Sequence, residues 1–315
     1  MPFRPHLKSL LGSALWPVLT SVASRRLIRN DQGLVLTFHY IGTPVLDGVA
    51  EDLFISLREF RRVLAFIGAR LNPLAPAVFL KHLNEGTLPE RATLITFDDC
   101  LHETVVQALP ELTRRGLTAC FFCSPGLIEA DRTIPSLELM SICAASRRPD
   151  PAADYRRLWP ELLLCPSLEQ PAMLRRIRQH FEVDGSAPLN LRLARWHALA
   201  ALDAAGMLIG NHTMLHSTIT ADGPRQFESD VALAYDAIER RLGARPRVFC
   251  YPYGRKADQG GDAEDILRRL GTEFAFVTQG GIASPRRSGL LHLHREDASY
   301  SVHAAKLAPL LAFLR

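Results

Sequence analysis

Ala92-Thr93-Leu94-Ile95-Thr96-Phe97-Asp98-Asp99 decides the fold. Ala92 to Phe97 is an uncharged, largely apolar run, and two carboxylates follow at once. Such a run reads as a buried strand. Neighbouring strand residues point to opposite faces, so Asp98 and Asp99 cannot both serve one site from a regular strand. The strand must end there and the chain must turn. Parallel α/β barrels keep their active sites at the carboxyl ends of their strands.

A second stretch, His212-Thr213-Met214-Leu215-His216, supplies what the first lacks. Its imidazoles, four residues apart, fit one face of a helical turn. They fit equally a loop after the strand-like Met207-Leu208-Ile209-Gly210. One carboxylate and two imidazoles make three ligands for a divalent metal, with zinc in first place. A fourth, open position would hold an attacking water, and the second carboxylate would be free to act as base. Either stretch alone is weak: an Asp pair is more often a turn or helix cap, and H-x-x-x-H is common. Both together, each after an apolar run, carry the inference.

The surrounding chain alternates strands with helices. Ser56 to Arg70 has helical periodicity, with Phe60, Val63, Leu64 and Ile67 on one stripe and a Ser56/Glu59 capping box. Glu103 to Arg115, Trp196 to Ala205, Gln226 to Leu242 and Asp262 to Leu270 read as helices closed by Gly116, Gly206, Gly243 and Gly271. Pro135 to about Asn190 breaks the pattern and reads as a helical insertion beside the site. Repeated β-then-α units predict an α/β fold with a parallel barrel.

At these residues the chain resembles a known family, the NodB-type polysaccharide deacetylases of carbohydrate esterase family four. Thr96-Phe97-Asp98-Asp99 is similar to their first motif, T-F-D-D-G, and His212 to His216 to their second, H-[ST]-x-x-H. Phe249-Cys250-Tyr251-Pro252-Tyr253-Gly254 resembles the third, in the form of exopolysaccharide-associated members. Leu36 to Tyr40 and Ala119 to Phe122 resemble two of the family's barrel strands. The likeness runs from about Leu34 to Asp297.

The resemblance implies a deformed (β/α) barrel of about seven parallel strands. It implies Asp98 as general base and Asp99, His212 and His216 as metal ligands. Tyr253 would offer a backbone N–H to the oxyanion, with Pro252 shaping the same turn. The reaction implied is removal of an N- or O-acetyl group from a glycan, by water activated at the metal. The proton donor is expected within Leu290 to Asp297, with His294 placed first. Arg295 matches an arginine of the exopolysaccharide subgroup and stands as a substitute for the arginine that many members carry at the position of Cys250. Cys100 departs from the family's glycine. If that position needs a positive φ, Cys costs about 1 kcal/mol there. Its thiol could also act as an extra ligand.

Composition agrees with one enzyme domain. The chain has 315 residues, 47% hydrophobic and 22% charged, with a formal net charge of +4. That mild charge, without a basic stripe, argues against nucleic acid as a partner. The six cysteines form no pair of C-x-x-C knuckles and suit buried thiols in a reducing compartment. Residues 1–33 precede the deacetylase-like domain, 34–315, with its insertion at about 135–190. Residues 1–30 read as an uncleaved helix with basic flanks that packs on the barrel or touches a membrane surface. A signal peptide is the alternative. The protein is expected to be cytoplasmic, with a membrane-associated or exported protein as the other reading. A catalytically weak carbohydrate-binding relative and a C–N amidohydrolase on a small molecule are the competing functions.

Overall fold

A computed structural model describes residues 30–184, 191–259 and 261–299. Ten strands are assigned among them. They are β1 (Leu34–Phe38), β2 (Tyr40–Ile41), β3 (Phe54–Ile55), β4 (Asn72–Pro73), β5 (Ala92–Phe97), β6 (Ala119–Cys123), β7 (Leu208–Asn211), β8 (Val248–Cys250), β9 (Phe274–Phe276) and β10 (Glu296–Asp297). The helices are α1 (Leu57–Arg70), α2 (Pro76–Glu85), α3 (His102–Thr113), α4 (Pro125–Glu129), α5 (Pro135–Ala145), α6 (Pro151–Leu164), α7 (Gln170–His180), α8 (Trp196–Ala204), α9 (Ile219–Leu242), α10 (Gly261–Arg269) and α11 (Pro285–Ser288).

The main sheet runs β10-β1-β5-β6-β7-β8-β9, every pair parallel, with β4 added beside β5. The segment that ends in β10 also bridges β9, through Leu293 and Phe276. It pairs with β1 through Leu36 and Glu296. The sheet therefore curls round and closes on its own first strand, as the deformed barrel of seven parallel strands that the motifs imply. The strands are buried on both faces, which is why they read as continuous apolar runs.

Register fixes the site. Phe38, Phe97 and Phe121 sit on one rung of β1, β5 and β6. Their rings stack at 5.3 and 4.5 Å, and Phe60 of α1 meets Phe38 edge-on. His39 and Asp98 come next on two adjacent strands. Side chains alternate along a strand, so the phenyl layer directs both polar groups to the other face.

Helix α1 carries the expected capping box: the Ser56 hydroxyl accepts from the Glu59 N–H, and the Glu59 carboxylate accepts from the Ser56 N–H. Helix α9 starts earlier than its apolar stripe suggests. Thr218 caps an extra turn, Gly223 breaks it with φ 74° and ψ 163°, and Pro224 restarts the helix. Between α4 and α8 lie α5, α6 and α7, over the stretch expected to be the helical insertion; residues 185–190 are outside the described residues. The insertion is tied to the barrel where Asp222 accepts from the Ser167 N–H at 2.6 Å and its hydroxyl at 2.7 Å. The expected helix at residues 1–30 lies outside the described residues, apart from Asn30. Among the described residues no helix is long and apolar enough to cross a membrane.

Candidate active site

Asp98 and Asp99 follow β5 where the strand ends, and Asp99 takes φ 66°. That left-handed turn sends consecutive carboxylates into one cavity. The histidines sit on the loop after β7 rather than on a helical turn. Thr213 and His216 have φ 64° and 58°, and Tyr253 has 59°. Non-glycine residues in this region cost about 1–3 kcal/mol each and persist only where neighbours enforce them. The enforcement is visible. Asn211 Oδ1 accepts from the Thr213 N–H at 2.7 Å, and buried Asp230 accepts from the Met214 N–H at 2.6 Å. Gly254, at φ 52°, has no room for a Cβ, which would meet the Thr278 nitrogen at 2.4 Å. Thr278 also donates to the Tyr253 carbonyl at 2.9 Å.

Asp99 Oδ1 lies 3.4 Å from His212 Nε2 and 3.1 Å from His216 Nε2. It is buried and accepts no hydrogen bond of good geometry. His212 Nδ1 donates to the Cys250 carbonyl at 2.8 Å, which turns Nε2 toward Asp99; burial opposes the charged ring, but Cys250, Asp99 and Asp98 raise the His212 pKa well above its ordinary value. Burial lowers the His216 pKa, which keeps its imidazole neutral. Two imidazole nitrogens and an orphaned carboxylate oxygen facing one another fit a divalent cation. The other Asp99 oxygen accepts from the Tyr40 hydroxyl at 2.5 Å.

Asp98 has the opposite setting. Arg295, fully buried, donates to its two oxygens at 2.7 and 2.6 Å. Burial alone would raise the Asp98 pKa, but the guanidinium outweighs it and pulls the pKa down to about 2. Arg295 is itself fixed by donating to Thr96 Oγ1 at 3.1 Å, the Val277 carbonyl at 3.1 Å and Cys250 Sγ at 3.0 Å.

These groups line a cavity of about 660 Å³ together with His39, Trp159, Tyr253, Arg255, Glu296 and Asp297. The cavity brings together Asp98, Asp99, His212, His216 and Tyr253 of the residues singled out in the sequence. Arg295 joins them from beneath, through Asp98. Pro252 is buried in the turn and does not line the cavity. His294 is not brought there. Arg295 points into the barrel, so its neighbour points away. Its ring lies at the Gly280 carbonyl instead, 3.4 Å off. The imidazole that does line the cavity is His39, with Nε2 3.6 Å from Asp98 and Nδ1 3.8 Å from Asp297. Its signal in the sequence was its place: it follows an apolar strand just as Asp98 does. The Cys100 thiol donates to the Phe122 carbonyl at 3.3 Å and belongs to neither group of clustered metal donors.

The family model described as polysaccharide deacetylase matches residues 85–275, more than half of the chain. The chain belongs to the polysaccharide deacetylase family. It is a carbohydrate deacetylase, a hydrolase of the NodB type. Similar solved structures include the deacetylase PplD of Streptococcus pyogenes in complex with acetate. That pair is 17% identical at TM-score 0.62, over 90% of this chain and 98% of PplD. IcaB from Ammonifex degensii is 20% identical at TM-score 0.58, over 90% and 96% of the two chains. A de-N-acetylase from Aggregatibacter actinomycetemcomitans is 16% identical at TM-score 0.56, over 88% and 99%. At such identities these likenesses concern the fold. No curated protein matches the sequence. The residues matched by the deacetylase family model hold the Asp pair, the His pair and Tyr253, whereas His39, Tyr40 and Arg295 lie outside them.

Proposed function

We propose that this deacetylase is metal-dependent and removes an N- or O-acetyl group from an acetylated glycan, with Asp98 as general base. The observation that carries the proposal is the pairing of two unlike carboxylates. Asp99 Oδ1 faces two imidazole nitrogens and accepts no hydrogen bond of good geometry, while Asp98 beside it is held ionised by Arg295. Asp99, His212 and His216 would hold the cation, zinc in first place. When bound, it would polarise the acetyl carbonyl and acidify water.

The remaining chemistry belongs to the chain. Asp98 takes a proton from the attacking water, and its low pKa keeps it available at neutral pH. The Tyr253 backbone N–H, held in its turn by Gly254 and Thr278, donates to the developing oxyanion. His39 supplies the proton to the leaving amine or alcohol, with the Asp297 carboxylate 3.8 Å from its far nitrogen. This assignment replaces His294. The unpaired cysteines support a cytoplasmic location.

Elemental analysis of the purified protein, paired with acetate release from acetylated chito-oligosaccharides, tests the reading. One divalent ion per chain with acetate release is expected. Metal without acetate would favour an amidohydrolase acting on another acyl substrate. No metal after reconstitution would overturn the proposal and favour a carbohydrate-binding relative.

A further inference from the structure

The aromatic side of the cavity extends beyond the residues that the reaction uses. Rings follow one another outward from the candidate metal ligands. His212 meets His216 at 4.7 Å, His216 meets Tyr253 at 4.5 Å, and Tyr253 meets Trp159 at 5.1 Å, each pair edge-to-face. Trp159 then stacks on Tyr155 at 6.1 Å with the planes 8° apart. The first three rings belong to the barrel loops. The last two belong to α6, in the helical insertion. Tyr155 is buried and backs the indole, whereas Trp159 stays part-exposed and lines the cavity.

The walls differ in chemistry. Trp159, Leu53 and Ile134 give apolar surface; Arg255, Thr278 and Glu296 give donors and acceptors. A pyranose ring has the same division, with a C–H face and a rim of hydroxyls. The C–H bonds carry the small positive charge that an aromatic face attracts. At about 660 Å³ the cavity is far larger than an acetyl group and falls within the range of ligand sites, roughly 300–1,000 Å³. The two hydrogen bonds from Ser167 to Asp222 hold the insertion on α9, so the indole is presented from a fixed support.

We infer that Trp159 forms a sugar-binding subsite of the insertion, stacking on a pyranose residue next to the one that loses its acetyl group. The inference rests on the deacetylase reading above and deepens it: the barrel recognises the acetyl group, and the insertion recognises the glycan chain. The enzyme therefore prefers an acetylated oligosaccharide to a small acetyl compound, and the preference resides in Trp159.

The test compares kcat and KM of the metal-loaded wild type, Trp159→Ala and Trp159→Phe on two probes, an N-acetylglucosamine pentamer and a small aryl acetate ester. For Trp159→Ala, the loss in kcat/KM on the pentamer should exceed the loss on the ester at least tenfold, mostly through KM. Trp159→Phe, which keeps a ring, should recover much of the difference. Equal losses on both probes would make Trp159 a packing residue and overturn the inference, as would an unaltered KM for the pentamer. A wild type that cleaves the ester but not the pentamer would overturn the oligosaccharide subsite while sparing the metal centre. A wild type inactive on both would instead sink the deacetylase reading.

Discussion

Asp98 and Asp99 are neighbours of identical chemistry, both buried, and the fold gives them opposite partners. Asp98 faces a permanent cation, with Arg295 on both oxygens. Asp99 faces two imidazoles and a phenol. The first is already charge-neutralised by the protein, so it gains little from a metal and is free to move protons. The second has an unsatisfied oxygen, which a cation would complete. Burial penalises both as anions, and the choice of partner decides which compensation each receives.

The sharpest way to break this division is Asp98→Asn. Turnover should fall by about 10²–10⁴, while bound metal, measured by elemental analysis, stays at the wild-type level. Loss of both together would mean that Asp98 is a ligand rather than the base. Arg295→Gln attacks the same carboxylate from the other side. Removing one member of a buried ion pair costs about 3–5 kcal/mol, read by urea unfolding at neutral pH. The sign of the pH effect is fixed. Asp98 is depressed to about 2 in the folded protein, so its contribution is present above the ordinary carboxylate range and is lost as pH falls toward 2. Without the guanidinium, burial raises the pKa, and the acid limb of kcat/KM moves to higher pH. An unmoved limb would deny Asp98 its role.

Tyr40→Phe probes Asp99 alone. The ring keeps its packing on Phe54 at 5.0 Å, but the hydroxyl that holds Oδ2 is gone. Metal affinity, measured by chelator competition, should weaken about 10–100-fold, as for other outer hydrogen bonds to ligands. Equal affinity would show that the Asp99 carboxylate needs no such support. The smallest effect is expected from Cys100→Gly. It relieves a left-handed conformation, φ 54°, and loses the thiol bond to the Phe122 carbonyl, so stability should shift by under about 1 kcal/mol. A large gain in turnover would show instead that Cys100 restrains the site.

Much of this was legible because the barrel's strands and motifs are local. The apolar run Ala92 to Phe97 announces a buried strand, and its end announces a site. The His pair carries its own spacing. The helix stripe of Phe60, Val63, Leu64 and Ile67 is likewise written in consecutive turns. What stayed hidden depends on contacts between distant segments. His39 reaches Asp98 because β1 and β5 pair in register, and nothing within Leu36 to Tyr40 states that register. Choosing His294 over Arg295 as the inward residue needs the phase of a segment that pairs only in short patches. Trp159 sits in an insertion whose docking on the cavity is decided by tertiary contacts. Helix α9 could be seen from its stripe, but its first turn is set by a cap at Thr218 and carries no stripe.

The segment that closes the barrel is also the one that carries Arg295. Leu293 joins β9, Glu296 and Asp297 join β1, and Arg295 between them holds Asp98, the proposed base. The proposed metal ligands follow β5 and β7, earlier in the chain. A nascent or partly folded chain could thus assemble its three metal donors while Asp98 still lacked its cation. With Asp98 as the base, the Arg295 partner that holds it ionised arrives only with the last strand. On the proposed mechanism, activity would report that the ring is shut.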